Sequence, residues 1–129
     1  MVTSLPDPAH ILVVDDEPVI AEIAAEMLCD AGFVVNFALD AAAAIEIVKG
    51  EQQLDLLFTD IVMPKINGFR LAAMSITIRQ DLRILYTTAY SDLASQLVAA
   101  GQPAAPILNK PYRQEQLIEA VRRTLQPHG

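Results

Sequence analysis

"FTDIVMPKING", residues 58–68, closes an apolar run that begins at Leu54 and is broken only by Asp55. The run ends at Thr59-Asp60, then come Met63-Pro64 and, eight residues after the aspartate, Gly68. A short apolar run bounded by turn residues reads as a strand buried on both faces. Such strands belong to parallel sheets covered by helices, so this stretch decides the fold class. It also poses a chemical question, because the chain carries a carboxylate to the end of a buried strand and then turns sharply.

The flanking sequence alternates in the same way. "ILVV" (11–14) is a first strand, apolar on both faces, and Pro18 fits the first turn of the helix after it. Ile20, Ile23, Ala24, Met27 and Leu28 give that helix one apolar face, with Glu22, Ala25 and Glu26 on the other side. Gly32 suits its C-cap. "VVNFAL" (34–39) is a second strand, and Asp40 is the N-cap of a helix running to Gly50. The third strand is "LDLLFT" (54–59), followed by a helix over 69–79. "RILYTT" (83–88), a short helix over 92–101, "PILNK" (106–110) and a helix over 113–125 complete the chain. Pro106 cannot donate a ladder hydrogen bond, which puts the fifth strand at a sheet edge. Five strands alternating with five helices imply a doubly wound α/β sandwich around a parallel sheet. The order 2-1-3-4-5 is taken over from the common pattern of such folds.

Composition sets the bounds. The chain has 129 residues, 53 % of them hydrophobic, enough for one domain with a core over 10–126. Residues 1–9 read as a short leader that lacks the features of a signal peptide, and no output domain is expected. No apolar stretch is long enough to span a bilayer. The net charge of −7, with no basic run, speaks against nucleic-acid binding. The lone Cys29 allows no internal disulfide, fits a cytoplasmic protein and reads as a core or near-core residue.

Ligands of doubly wound sheets sit beyond the carboxyl ends of the strands, where the strand order reverses. There strand 1 ends in Asp15-Asp16, strand 3 in Asp60, strand 4 in Thr87-Thr88 and strand 5 in Lys110. Clustered carboxylates raise one another's pKa unless a cation lies among them. All-oxygen ligands suit Mg²⁺, which binds one or two carboxylates alongside phosphate oxygens. A carboxylate can then act as the nucleophile that accepts a phosphoryl group. Bland readings exist for single residues. Thr88 can cap the following helix, Lys110 can be a solvated lysine, and Glu17 can be a first-turn helix acid. His10 and His128 show no catalytic pattern.

"VVDDE" (13–17), "DIVMPKING" (60–68), "TTAY" (87–90) and "KPY" (110–112) follow in an order and spacing that resembles the receiver domain of two-component response regulators. The resemblance covers roughly His10 to Leu125, in the flavodoxin-like (βα)5 class. It implies that Asp60 accepts a phosphoryl group from the phosphohistidine of a sensor histidine kinase or a histidine phosphotransfer protein. It further implies Mg²⁺ bound directly by Asp16, largely through water by Asp15, and by Asp60 and the backbone carbonyl of Val62. Thr88 and Lys110 would hold phosphoryl oxygens. Pro64 and Gly68 would shape the loop that brings the Val62 carbonyl back toward the metal. Val19 and Ala21 would offer the phosphodonor a partly apolar surface. One position departs from the pattern: Ile107 stands where receivers commonly carry Tyr or Phe, so the usual aromatic partner of Thr88 is missing.

The expected protein is a stand-alone, monomeric regulator that catalyses only its own phosphorylation and dephosphorylation. The alternative is a receiver cut from a hybrid sensor kinase. An aspartate-nucleophile phosphatase would need a second aspartate at position 62, which is Val. A dinucleotide-binding domain would need Gly-x-Gly-x-x-Gly after strand 1, where "DDEPVI" stands. A degenerate receiver used only for protein binding would not keep the intact acidic set.

Overall fold

A computed structural model of the chain describes residues 8–100 and 105–126. The elements alternate as expected: β1 (His10–Val14), α1 (Pro18–Asp30), β2 (Val34–Ala38), α2 (Ala41–Lys49), β3 (Leu56–Asp60), α3 (Gly68–Ile78), β4 (Arg83–Thr88), α4 (Ser91–Ala99), β5 (Ile107–Asn109) and α5 (Gln114–Leu125). The five strands form one parallel sheet in the order β2-β1-β3-β4-β5. β5, which follows Pro106, lies at an edge.

Strand periodicity sends alternate residues to two separate cores. Leu12, Val14, Leu57, Ile84 and Tyr86 pack toward Ala44 and Val48 of α2 and Leu71 of α3. Ile11, Val13, Phe58 and Leu85 pack on the other face, with Ala21, Ala24 and Leu28 of α1 and Leu117 and Val121 of α5. Each fully buried Leu, Val or Phe contributes about 1.5–3 kcal/mol by leaving water.

The helix ends are tied down by side chains. Asp40 accepts from Ala43 N at 2.8 Å, which is the expected N-cap of α2. Asn67 caps α3 by accepting from Arg70 N at 2.9 Å. Arg79 donates to the carbonyls of Val48 in the last turn of α2 and of Gly50 and Gln52 just past it, and Arg83 to those of Thr124, Leu125 and Gln126 at the end of α5. These arginines satisfy carbonyls that a helix end leaves unpaired. The Gly32 signal holds in substance: α1 stops at Asp30 and the chain turns at Gly32 with φ +98°.

Four expectations about side chains need correction. Ile23 was expected on the buried face of α1 and is 47 % exposed, whereas Ala25 was placed outside and is buried. Ala21, expected on a docking surface, is fully buried. Cys29 is exposed rather than near-core. The cause for the helix is its composition. Val19, Ile20, Ala21, Ile23, Ala24, Ala25, Met27 and Leu28 leave it apolar nearly all round, so spacing alone does not select the buried side. Its small residues go inward, where α1 packs on both the sheet and α5.

Candidate functional site: an acidic cleft at the carboxyl ends of the strands

Register puts the polar residues in one row. Val13 pairs with Phe58, Asp60 with Thr87, and Thr87 with Leu108. Val13, Phe58, Leu85 and Leu108 belong to the core on the α1/α5 face. By the two-residue period, Asp15, Asp60 and Thr87 therefore project from that same face, at the end where the order of β1 and β3 reverses. Asp60 is the last residue of β3 rather than the residue beyond it, and is 6 % exposed.

Gly68 explains the sharp turn. A Cβ built there would lie 2.2 Å from the Asp60 carbonyl oxygen, so only glycine lets α3 start so close to the strand end. Gly68 N donates to Ile61 O at 2.8 Å and closes the loop. Within it, Lys65 adopts a left-handed conformation with φ 71°.

Lys110 ties the carboxylates together. Its Nζ donates to Asp15 Oδ2 at 2.7 Å and to Asp60 Oδ2 at 3.0 Å. Asp15 Oδ1 accepts from Glu17 N at 3.0 Å, so both oxygens of Asp15 are engaged. The Asp16 carboxylate is exposed and has no hydrogen-bond partner among the described residues. One oxygen from each of Asp15, Asp16 and Asp60 lies within 4.8 Å of the other two. Lys110 neutralises one of three negative charges and leaves two. An all-oxygen donor set with that residual charge fits a hard divalent cation of the Mg²⁺ kind.

Burial pushes the Asp60 carboxyl above its ordinary pKa; Lys110 opposes this, the Asp15 charge adds to it, and the Val62 backbone donor opposes it. For Lys110, burial alone would lower the pKa, but hydrogen bonds and charge from Asp15 and Asp60 outweigh it and hold the ammonium above its usual range. Tyr112, edge-on to Phe58, is pushed up to about 12, chiefly by burial. Glu17 is exposed and donates its backbone N–H to Asp15. A cleft of about 440 Å³ opens over these groups, lined among others by Asp16, Asp60, Val62, Tyr90 and Lys110. A larger groove of about 990 Å³ beside β4, β5 and α5 includes none of the three clustered carboxylates.

Thr88 is fully buried on the opposite face, and its Oγ1 accepts from Tyr90 N at 3.1 Å. This bond lies in the loop before α4, which begins at Ser91, so it is not the helix cap of the bland reading; Thr88 stands one residue from the acidic row. Ile107 pairs with Tyr86, and the ring on that face is Tyr86, packed edge-on against Phe69 at 4.9 Å. Sequence reasoning gave Tyr86 no special place. It named Thr87 only as a strand-end residue beside Thr88; the Thr87 hydroxyl is buried and has no hydrogen-bond partner among the described residues, and no sequence signal marks an orphaned hydroxyl. Residues 101–104, in the predicted loop before β5, and His128 lie outside the described residues.

The chain has a doubly wound α/β fold of the flavodoxin-like class, with an acidic cleft at its switch point. The family model of the response regulator receiver domain matches residues 11–122, and the chain belongs to that family. It is a receiver domain of two-component signalling. The response regulator receiver protein CpdR of Brucella abortus is 30 % identical over 116 residues, covering 90 % of this chain and 96 % of that protein. The DNA-binding transcriptional regulator NtrC of Azospirillum brasilense is 35 % identical over 117 residues, 91 % of this chain. The chain spans only 24 % of the length of that relative and 50 % of another. A crystal structure of a response regulator receiver protein from Sinorhizobium medicae WSM419 superposes with a TM-score of 0.79 at 32 % identity, covering 92 % of this chain and 95 % of that one. Among the described residues, no helix is long and apolar enough to cross a membrane.

Proposed function

We propose that Asp60 is the phosphoacceptor of this receiver and that Mg²⁺ is its cofactor. The observation that carries the reading is Lys110 Nζ bonded to both Asp15 and Asp60 while the Asp16 carboxylate stands open beside them. The donor is the phosphohistidine of a sensor histidine kinase or a histidine phosphotransfer protein. An Asp60 oxygen attacks phosphorus, the P–N bond breaks, and the imidazole leaves and takes up a proton. Asp16, Asp60 and the Val62 carbonyl, with Asp15 largely through water, would hold the metal, which would supply charge neutralisation to the phosphoryl oxygens. Lys110 turns its ammonium from Asp60 to a phosphoryl oxygen, and the Thr88 hydroxyl donates to another. The chain catalyses only its own phosphorylation and dephosphorylation.

Incubation with Mg²⁺ and a small phosphodonor should add one phosphoryl group per chain, measured by intact mass. Asp60→Asn should take none, and Asp16→Ala or chelation should prevent labelling. Equal labelling of Asp60→Asn would overturn the assignment.

A further inference from the structure

The row on the α1/α5 face runs Asp15, Asp60, Thr87, Leu108 across β1, β3, β4 and β5. Lys110 follows Leu108 by two residues and so starts on the same side, beyond the end of β5. Its ammonium nevertheless reaches Asp60 on β3, two strands away, a span of about 10 Å between strand axes. β4 is the strand between them, and Thr87 is its last residue on that face, so the reach from Lys110 to Asp60 passes over that end of β4. The residue there is 2 % exposed, and its Oγ1 has no hydrogen-bond partner among the described residues. Among the described residues, the ammonium of Lys110 also has an N–H without an acceptor. An ammonium has three N–H groups, and Asp15 and Asp60 take two.

An unpaired buried hydroxyl is unfavourable, and valine fills the same space without it. The one other such atom among the described residues, Ser75 Oγ, is on α3, away from the acidic row. We infer that Thr87 is a positioning residue for Lys110: its hydroxyl accepts the third ammonium N–H as the lysine turns from Asp60 to the incoming phosphoryl group. The hydroxyl proton then points away from the ammonium, toward the carboxylate or phosphoryl oxygen on Asp60. No bond to Thr87 is made or broken. Without the hydroxyl, the ammonium leaves the carboxylates with nothing to receive it over β4. The inference rests on the proposed role of Asp60 and adds a residue to it.

The test compares wild type, Thr87→Val, Thr87→Ser and Asp60→Asn in Mg²⁺ with acetyl phosphate, measuring labelling rate and Tm. Thr87→Val should label about tenfold more slowly, the scale of one hydrogen bond to a charged group. Its Tm should rise, because an orphaned hydroxyl is gone. Thr87→Ser should recover most of the rate. That split, slower but more stable and rescued by Ser, is one that a packing role does not produce. Thr87→Val labelling at the wild-type rate overturns the inference and leaves the Asp60 assignment intact. Slow labelling by both variants with lowered Tm also overturns it, as a packing effect. Wild type that takes no label, or Asp60→Asn that labels equally, overturns the site reading and this inference with it.

Discussion

Asp60 is held in a state that disfavours its own charge. Its pKa is raised, chiefly by burial, so the folded chain binds this proton more tightly than the unfolded chain does. Between the unfolded and folded pKa values the native state carries more protons, and stability falls as pH rises through that window. At neutral pH, without metal, the ionised Asp60 is therefore a destabilising group. Asp60→Asn should be more stable than wild type at pH 7 in chelator, and should lose the gain that wild type shows on acidification toward the ordinary carboxylate range. Urea unfolding between pH 4 and 7 measures both, and a less stable Asp60→Asn at pH 7 would contradict the destabilising role of the buried carboxylate. Lys110 shows the same sense of linkage in a different window: its raised pKa contributes stability at neutral pH, complete below the unfolded lysine value and lost only in strong alkali. At this scale the sequence was informative. Aspartates and a lysine at strand ends were visible as residues, and their convergence followed once the strand order was assumed. The unpaired state of Thr87 was not visible, because it depends on what fails to lie within hydrogen-bond distance.

At the scale of the element, strands were easier to read than helix faces. β4 matches its expected span of 83–88, since "RILYTT" opens on Arg83 and closes on Thr87-Thr88, whereas β3 starts two residues later than "LDLLFT" suggests because Asp55 is used otherwise. Its Oδ2 accepts from His10 N at 2.7 Å and from Gln53 at 2.9 Å, before β3 begins. α1 was misread in a way that changes its consequences. Ala21 packs in the core with Leu28 and Leu117, so a charge there damages the fold and reports nothing about docking. The exposed apolar pair is Val19 and Ile23, four residues apart on one face at 66 % and 47 % exposure. Helix-to-helix contacts are commonly built on such a partly apolar strip. Val19→Glu and Ile23→Glu should each slow transfer from a phosphohistidine protein by about tenfold, a change of about 1.4 kcal/mol. Labelling by a small phosphodonor should be unchanged. Equal slowing of both reactions would place the defect in the cleft instead.

Across the whole molecule, the two sides of β5 are anchored unequally, and this decides where a signal can travel. α5 is fixed along its length: Leu117, Val121 and Leu125 are buried, Gln116 reaches back to Arg113 N at 2.7 Å, and Arg83 holds three carbonyls at its far end. α4 is nine residues long, too short to be stable by itself. Its approach from β4 runs through the bond between Thr88 Oγ1 and Tyr90 N, and Tyr90 is 58 % exposed. A Thr88 hydroxyl that turns to a phosphoryl oxygen must loosen or drag that bond, so Tyr90 is the first group outside the cleft to move. Ile107 has neither ring nor hydroxyl, which removes an aromatic flip on β5 as a second route. The change on phosphorylation should therefore concentrate in residues 88–104, the last four of which lie outside the described residues. α5 should hardly move, and no dimer should form. Amide chemical shifts with and without a phosphoryl mimic, together with light scattering, test this. Large shifts spread along Glu115 to Leu125 with a doubled mass would mean that β5 and α5 carry the signal despite Ile107, and that the Arg83 anchor yields when Asp60 is phosphorylated.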